Sequence, residues 1–137
     1  LKQQDLRSSR YRNQVVIEVE KLDYTSMDEQ FLRQAIACVN AHIADSSFSR
    51  TDFVREMNTS RTVLTEKLKS LTGLNTTGFV RSIRLKAACN IMDGNKNIRI
   101  SDLAYQVGFN DPKYFARCFS KQFNMKPSDL MNEEGNN

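Results

Sequence analysis

One stretch of this 137-residue chain occurs twice in outline. "SRTVLTEKLKSLTGLNTTGF" (60–79) aligns with "DPKYFARCFSKQFNMKPSDL" (111–130) at an offset of 51 residues. Ser60 and Asp111 are both good helix N-caps, with side-chain oxygens suited to accept from free N–H groups of a first turn. Leu64 and Leu68 fall opposite Phe115 and Phe119, one helical turn apart in each copy. Gly73 falls opposite Asn124, and these are the two residue types that best tolerate a left-handed helix end. Each copy follows a short helical segment and a brief turn, "MNTS" (57–60) in the first and "VGFND" (107–111) in the second. The pattern is helix–turn–helix, twice.

The rest of the chain also punctuates into helices. "SMDE" (26–29) reads as a Ser-x-x-Glu capping box before Phe31, Leu32, Ala35, Ile36, Val39 and Ile43 at helical spacing. "SRTDFVREM" starts a short helix ending near Met57. Ser60 opens the next, with Leu64, Leu68 and Leu71 inward and Gly73 at its end. Thr76 or Thr77 opens a longer helix carrying Phe79, Val80, Ile83, Ala87, Ile91 and Met92, closed by Gly94. Ser101 is expected to cap a helix with Leu103, Ala104 and Val107. Asp111 caps another, with Pro112 suited to its first turn. Pro127 begins a final short turn containing Leu130. "QVVIEVEKL" (14–22) alternates weakly and reads as extended. The expected class is all-α, with about seven helices forming two helix–turn–helix lobes around a longer central helix.

The second copy contains two ridges of opposite character. Phe115, Phe119 and Phe123 recur every four residues and must face a core. Lys113, Arg117 and Lys121 recur at the same spacing, two positions earlier, roughly 200° around the helix. The net charge of +4 understates this asymmetry. Residues 1–44 hold six Lys and Arg against six Asp and Glu, whereas 59–126 hold twelve against four, a local +8. Positive charge concentrated on helical outer faces points to a polyanionic partner, although a solvated surface would carry charge too.

Other classes of function find little support. A single histidine, His42, without ligand-like spacing argues against a metal site, and no Gly-rich phosphate loop or other cofactor motif occurs. These features do not describe an enzyme. Cys38, Cys89 and Cys118 are odd in number and far apart, as expected of reduced, mostly buried thiols in a cytoplasmic protein. No apolar run is long enough to span a membrane, and "LKQQDLRSSRYRNQ" lacks a secretory signal's apolar stretch. It reads as the cut end of something longer. Residues 1–25 are accordingly read as a linker from a missing upstream domain, partly extended or disordered; 26–93 as the first lobe plus connecting helix; and 94–137 as the second lobe with a polar tail.

"SRTVLTEKLKSLTG", "FVRSIRLKAA" and above all "ISDLAYQVGFNDPKYFARCFSKQF…KPSDL" resemble the DNA-binding domain of AraC/XylS-type bacterial transcription regulators. The resemblance covers about residues 46–131. Residues 26–45 and the basic segment before them further resemble the stretch joining a receiver domain to this module in hybrid two-component regulators. The family implies that two second helices, 60–71 and 111–123, enter adjacent major grooves of promoter DNA. The connector is compatible with that: sixteen residues from Thr77 to Met92 span roughly 24 Å, against about 34 Å between successive major-groove faces.

Carried over position by position, the resemblance implies base reading by Arg61, Thr62, Thr65 and Glu66 in the first helix, and by Pro112, Lys113, Ala116 and Arg117 in the second. Arg117 stands out because a guanidinium can bond guanine O6 and N7 bidentately. Glu66 stands where the family commonly has a basic residue; it would accept from cytosine N4, or pair with Arg61 or a neighbouring lysine. Ser60, Lys67, Lys69 and Lys121 are read as phosphate positioners. Arg81, Arg84 and Lys86 on the connecting helix suit either a tie between lobes or DNA contact. Tyr105, Phe109 and Tyr114 are read as core or rim packing rather than base-stacking platforms. RNA polymerase is an expected partner, dimerisation is expected to belong to a domain outside this chain, and no membrane contact is expected. A protein-interaction module without intrinsic sequence specificity is the competing reading.

Overall fold

The computed structural model describes residues 25–135, which form seven α-helices and no strand. They are α1 (Ser26–Ala41), α2 (Arg50–Glu56), α3 (Arg61–Thr72), α4 (Thr76–Gly94), α5 (Ile100–Gln106), α6 (Pro112–Phe123) and α7 (Pro127–Gly135). The extended reading of 14–22 and residues 1–24 of the expected linker lie outside the described residues.

Local chemistry sets most boundaries. Ser60 Oγ accepts from Val63 N at 3.1 Å, and Asp111 Oδ1 accepts from Lys113 N at 3.0 Å, with Pro112 in the first turn where its missing N–H costs nothing. Gly73 and Asn124 end α3 and α6 in the left-handed region, at φ 79° and 58°. Three expected ends shift. Ser26 lies inside the first turn of α1, too late to reach the N–H it was expected to cap, and Thr25 Oγ1 accepts from Asp28 N instead. The reciprocal box forms at α2, where Ser49 and Asp52 exchange side-chain-to-backbone hydrogen bonds. Helix α5 begins at Ile100, ahead of Ser101, with no side-chain cap; packing of Ile100 on the core outweighs the lost cap bond. The expected short turn at Pro127 is a nine-residue helix with Leu130 buried.

Two cores flank α4. The first joins Leu32, Ala35 and Val39 of α1, Phe53 of α2, Leu64 and Leu68 of α3, and Phe79 and Ile83 of α4. The second joins Leu85, Ala88, Cys89 and Met92 of α4 with Leu103, Phe109, Leu130 and the stripe Phe115, Phe119 and Phe123. Each of those rings contributes about 1.5–3 kcal/mol by leaving water. The two sets on α4 point about 150° apart, so this helix is buried on two sides and shows no single apolar stripe in sequence.

Arg84 sits where the cores meet. Its guanidinium donates to the carbonyls of Asp45, at 2.9 Å, and Gly108, tying the loop after α1 to the turn after α5. Burial pushes its pKa down, partly offset by the Asp45 carboxylate. Gly108 has φ 88°, and a Cβ there would stand 2.5 Å from both Arg84 Nη1 and the Ile43 carbonyl oxygen. Glycine is required here twice, for conformation and for room.

Candidate nucleic-acid interface

Helix α6 is held by its aromatic side. The Phe109, Phe115, Phe119 and Phe123 rings pack in series at 5.2, 5.9 and 4.6 Å between centroids. That fixes the helix's rotation and turns Lys113, Arg117 and Lys121 outward, all exposed. Among the described residues none of the three has an acidic partner. The Arg117 guanidinium lies 5.6 Å from the Tyr114 ring centroid, a cation–π contact that limits its rotamers without neutralising it. Pro112 and Ala116 are half-buried beside the ridge.

Helix α3 presents a different face. Arg61, Thr62, Glu66 and Lys69 are exposed. Thr65 is half-buried, and its hydroxyl lies 3.2 Å from that of buried Thr76, linking α3 to the start of α4. The Lys67 ammonium sits 4.7 Å above the Phe31 ring, turned toward α1. Glu66 has no ion-pair partner among the described residues, so the pairing with Arg61 or a lysine does not form. Ser60 uses a lone pair on its cap bond, which leaves its hydroxyl hydrogen free to donate.

The His42–Glu56 hydrogen bond, at 2.9 Å, and the Arg55–Asp52 ion pair, at 3.2 Å, lie on α2 and the loop before it, apart from both outward helices. His42 also stacks on Phe48 at 4.4 Å, an ordinary structural use of the lone histidine. Burial, helped by Glu56, pushes the Cys38 thiol up to about 11, which keeps it protonated and unreactive at neutral pH. None of the three cysteines forms a disulfide. No described helix is long and apolar enough to cross a membrane.

The structure resolves one choice the sequence left open, locates Arg81 and separates three aromatics. Arg84 is a tie between lobes, acting through backbone carbonyls rather than an Asp or Glu side chain. Arg81 is half-exposed at the saddle between the lobes and lines clefts on both sides of it. Phe109 is buried, whereas Tyr105 and Tyr114 stay on the surface at 52% and 42% exposure, outside the core. Sequence spacing carried no signal for the Tyr114–Arg117 pair beyond their i, i+3 relation.

A protein-family model described as "Helix-turn-helix domain" matches residues 53–133, which include both capped outward helices. The chain belongs to the AraC-type helix–turn–helix family. The AraC-type module is a DNA-binding transcription-regulator domain. The chain is 39% identical over 124 residues to "Histidine kinase P4" of Formosa agariphila, covering 90% of this chain and 9% of that protein. It is 37% identical over 94 residues to "Transcriptional activator RhrA" of Rhizobium meliloti, covering 67% of this chain and 29% of that one. It therefore spans less than a third of either relative's length. The C-terminal domain of AraT, a response regulator from Geobacillus stearothermophilus, shares the fold with TM-score 0.67 at 20% identity, over 75% of this chain and 84% of that one.

Proposed function

We propose that this AraC-type module binds double-stranded promoter DNA sequence-specifically, placing α3 and α6 in adjacent major grooves. The observation that carries the reading is the Lys113–Arg117–Lys121 ridge, exposed and without acidic partners among the described residues, on a helix locked by three buried phenylalanines. Such a ridge meets a polyanion without first breaking internal ion pairs. Nineteen residues of α4 span about 28 Å, comparable with the roughly 34 Å between groove faces.

Base reading is assigned to Pro112, Lys113, Ala116 and Arg117 on α6 and to Arg61, Thr62, Thr65 and Glu66 on α3. Arg117 and Lys113 suit guanine; Pro112, Ala116 and the threonine methyls suit the thymine methyl; Glu66 suits cytosine N4. Ser60, Lys67, Lys69 and Lys121 are assigned to phosphates. For Lys67 this requires the ammonium to leave the Phe31 ring, and for Thr65 the contact falls to the methyl while its hydroxyl stays on Thr76.

The module is further proposed to be the output end of a signal-responsive, cytoplasmic regulator of the hybrid two-component kind, a reading supported by the similarity to a protein named as a histidine kinase. RNA polymerase contact is proposed by analogy with the activators among its relatives, and dimerisation is assigned to a domain outside this chain. Selection from a random duplex library by the purified chain tests the central claim. Recovery of a bipartite motif with half-sites about one helical turn apart is expected. No enrichment from a folded chain would refute sequence-specific binding and favour an interaction module.

A further inference from the structure

Arg81 and Arg84 stand one turn apart on α4, and the fold treats them oppositely. Arg84 is buried, with two nitrogens taken by carbonyls. Arg81 is half-exposed and, among the described residues, makes no hydrogen bond or ion pair. It lines a trough of about 450 Å³ between α4 and α6, together with Arg117 and Lys121. None of the trough's lining residues is acidic, while Ser82, Tyr114 and Gln122 add neutral hydrogen-bonding groups. Arg81 and Tyr114 also line the smaller cleft between the lobes, so the two hollows meet at this pair.

Three like charges around one open trough repel one another, and an anion lying in it would relieve that repulsion. The trough is continuous with the basic ridge of α6, sharing Arg117 and Lys121. A duplex docked on that ridge must carry one of its strands past the saddle to reach α3. We propose that this strand's phosphates lie in the trough and that Arg81 is their principal contact, making α4 a third DNA-binding element between the two reading helices. This inference rests on the DNA-binding reading above. A phosphate backbone fits better than a small anion because the cations line an open surface continuous with the α6 ridge and the neutral groups can satisfy further phosphate oxygens.

The test uses the intact chain, a selected site and a random duplex. Arg81→Gln is expected to weaken both DNAs by a similar factor, about three- to tenfold near 0.1 M salt, and to lower the salt slope by about one. Arg81→Lys is expected to restore most of the loss. Methylphosphonates placed midway between the half-motifs are expected to weaken the wild type and to have little further effect on Arg81→Gln. Unchanged DNA affinity in Arg81→Gln would overturn the inference while leaving the DNA-binding reading intact. So would a loss accompanied by a large drop in melting temperature, or by undiminished sensitivity to the central methylphosphonates. Failure of the wild type to bind any duplex would overturn the DNA-binding reading itself.

Discussion

The two lobes make the same turn with different residues. In the first, α2 passes to α3 through Asn58 at φ 56°; in the second, α5 passes to α6 through Gly108 at φ 88°. Each is the second residue of its turn, yet the second turn is one residue longer, 107–111 against 57–60. Asn58 is exposed, so a side chain that tolerates the left-handed region suffices. Gly108 is buried beneath Arg84 and the Ile43 carbonyl, where no Cβ fits. One lobe's turn is a local device; the other's is also the seam of the molecule.

The outward helices divide similarly. Helix α3 has committed two candidate contacts to the fold, Thr65 to Thr76 and Lys67 to Phe31, and carries Glu66, which has no ion-pair partner among the described residues. Helix α6 keeps its three cations outward, with only Arg117 guided by Tyr114. Helix α6 thus offers three outward cations and no acid to the proposed DNA, whereas α3 offers Arg61 and Lys69, a Lys67 seated on Phe31, and one acid.

Breaking the seam should have the largest effect. Gly108→Ala combines a left-handed alanine with a backbone collision and should cost about 2–5 kcal/mol, whereas Asn58→Ala should cost about 1 kcal/mol. Urea unfolding of the two variants measures the difference, and equal costs would remove the distinction between the turns. Arg117→Ala should cost about 1–3 kcal/mol on the selected site and relax specificity at its base pair. Glu66→Ala should lower affinity for the selected site by about 1 kcal/mol through loss of the cytosine contact and raise it slightly on random DNA by removing a repulsion from phosphates. Competition binding against random duplex decides; equal losses on both DNAs for Arg117→Ala would reassign it to phosphate. Smaller still, Lys121→Ala should lower the salt slope by about one with little change in specificity. Lys67→Ala should lower it less, because its ammonium begins on the Phe31 ring.

Much of this was legible in the sequence because it is local. A cap is a side chain and an N–H a few residues apart, so Ser60 and Asp111 could be read directly, and Gly73 and Asn124 marked the matching ends. Local reading failed at Ser26 and Ser101, where a competing neighbour, Thr25 in one case and core packing of Ile100 in the other, moved the boundary. The candidate contacts on α6 were legible for the same reason: a four-residue apolar period fixes the opposite face once anything covers the phenylalanines.

What sequence by itself determined, then, was the number and kind of elements, the two capped outward helices and the basic ridge on the second. The tertiary structure alone decided the fate of α4's arginines, which have the same charge and lie one turn apart. Two cores close on that helix from different sides, and the carbonyls that receive Arg84 come from Asp45 and Gly108, 39 and 24 residues away. Arg81 meets no such pair and remains on the saddle facing the trough. Neither environment exists until both lobes pack, because each is built from residues that are distant in sequence.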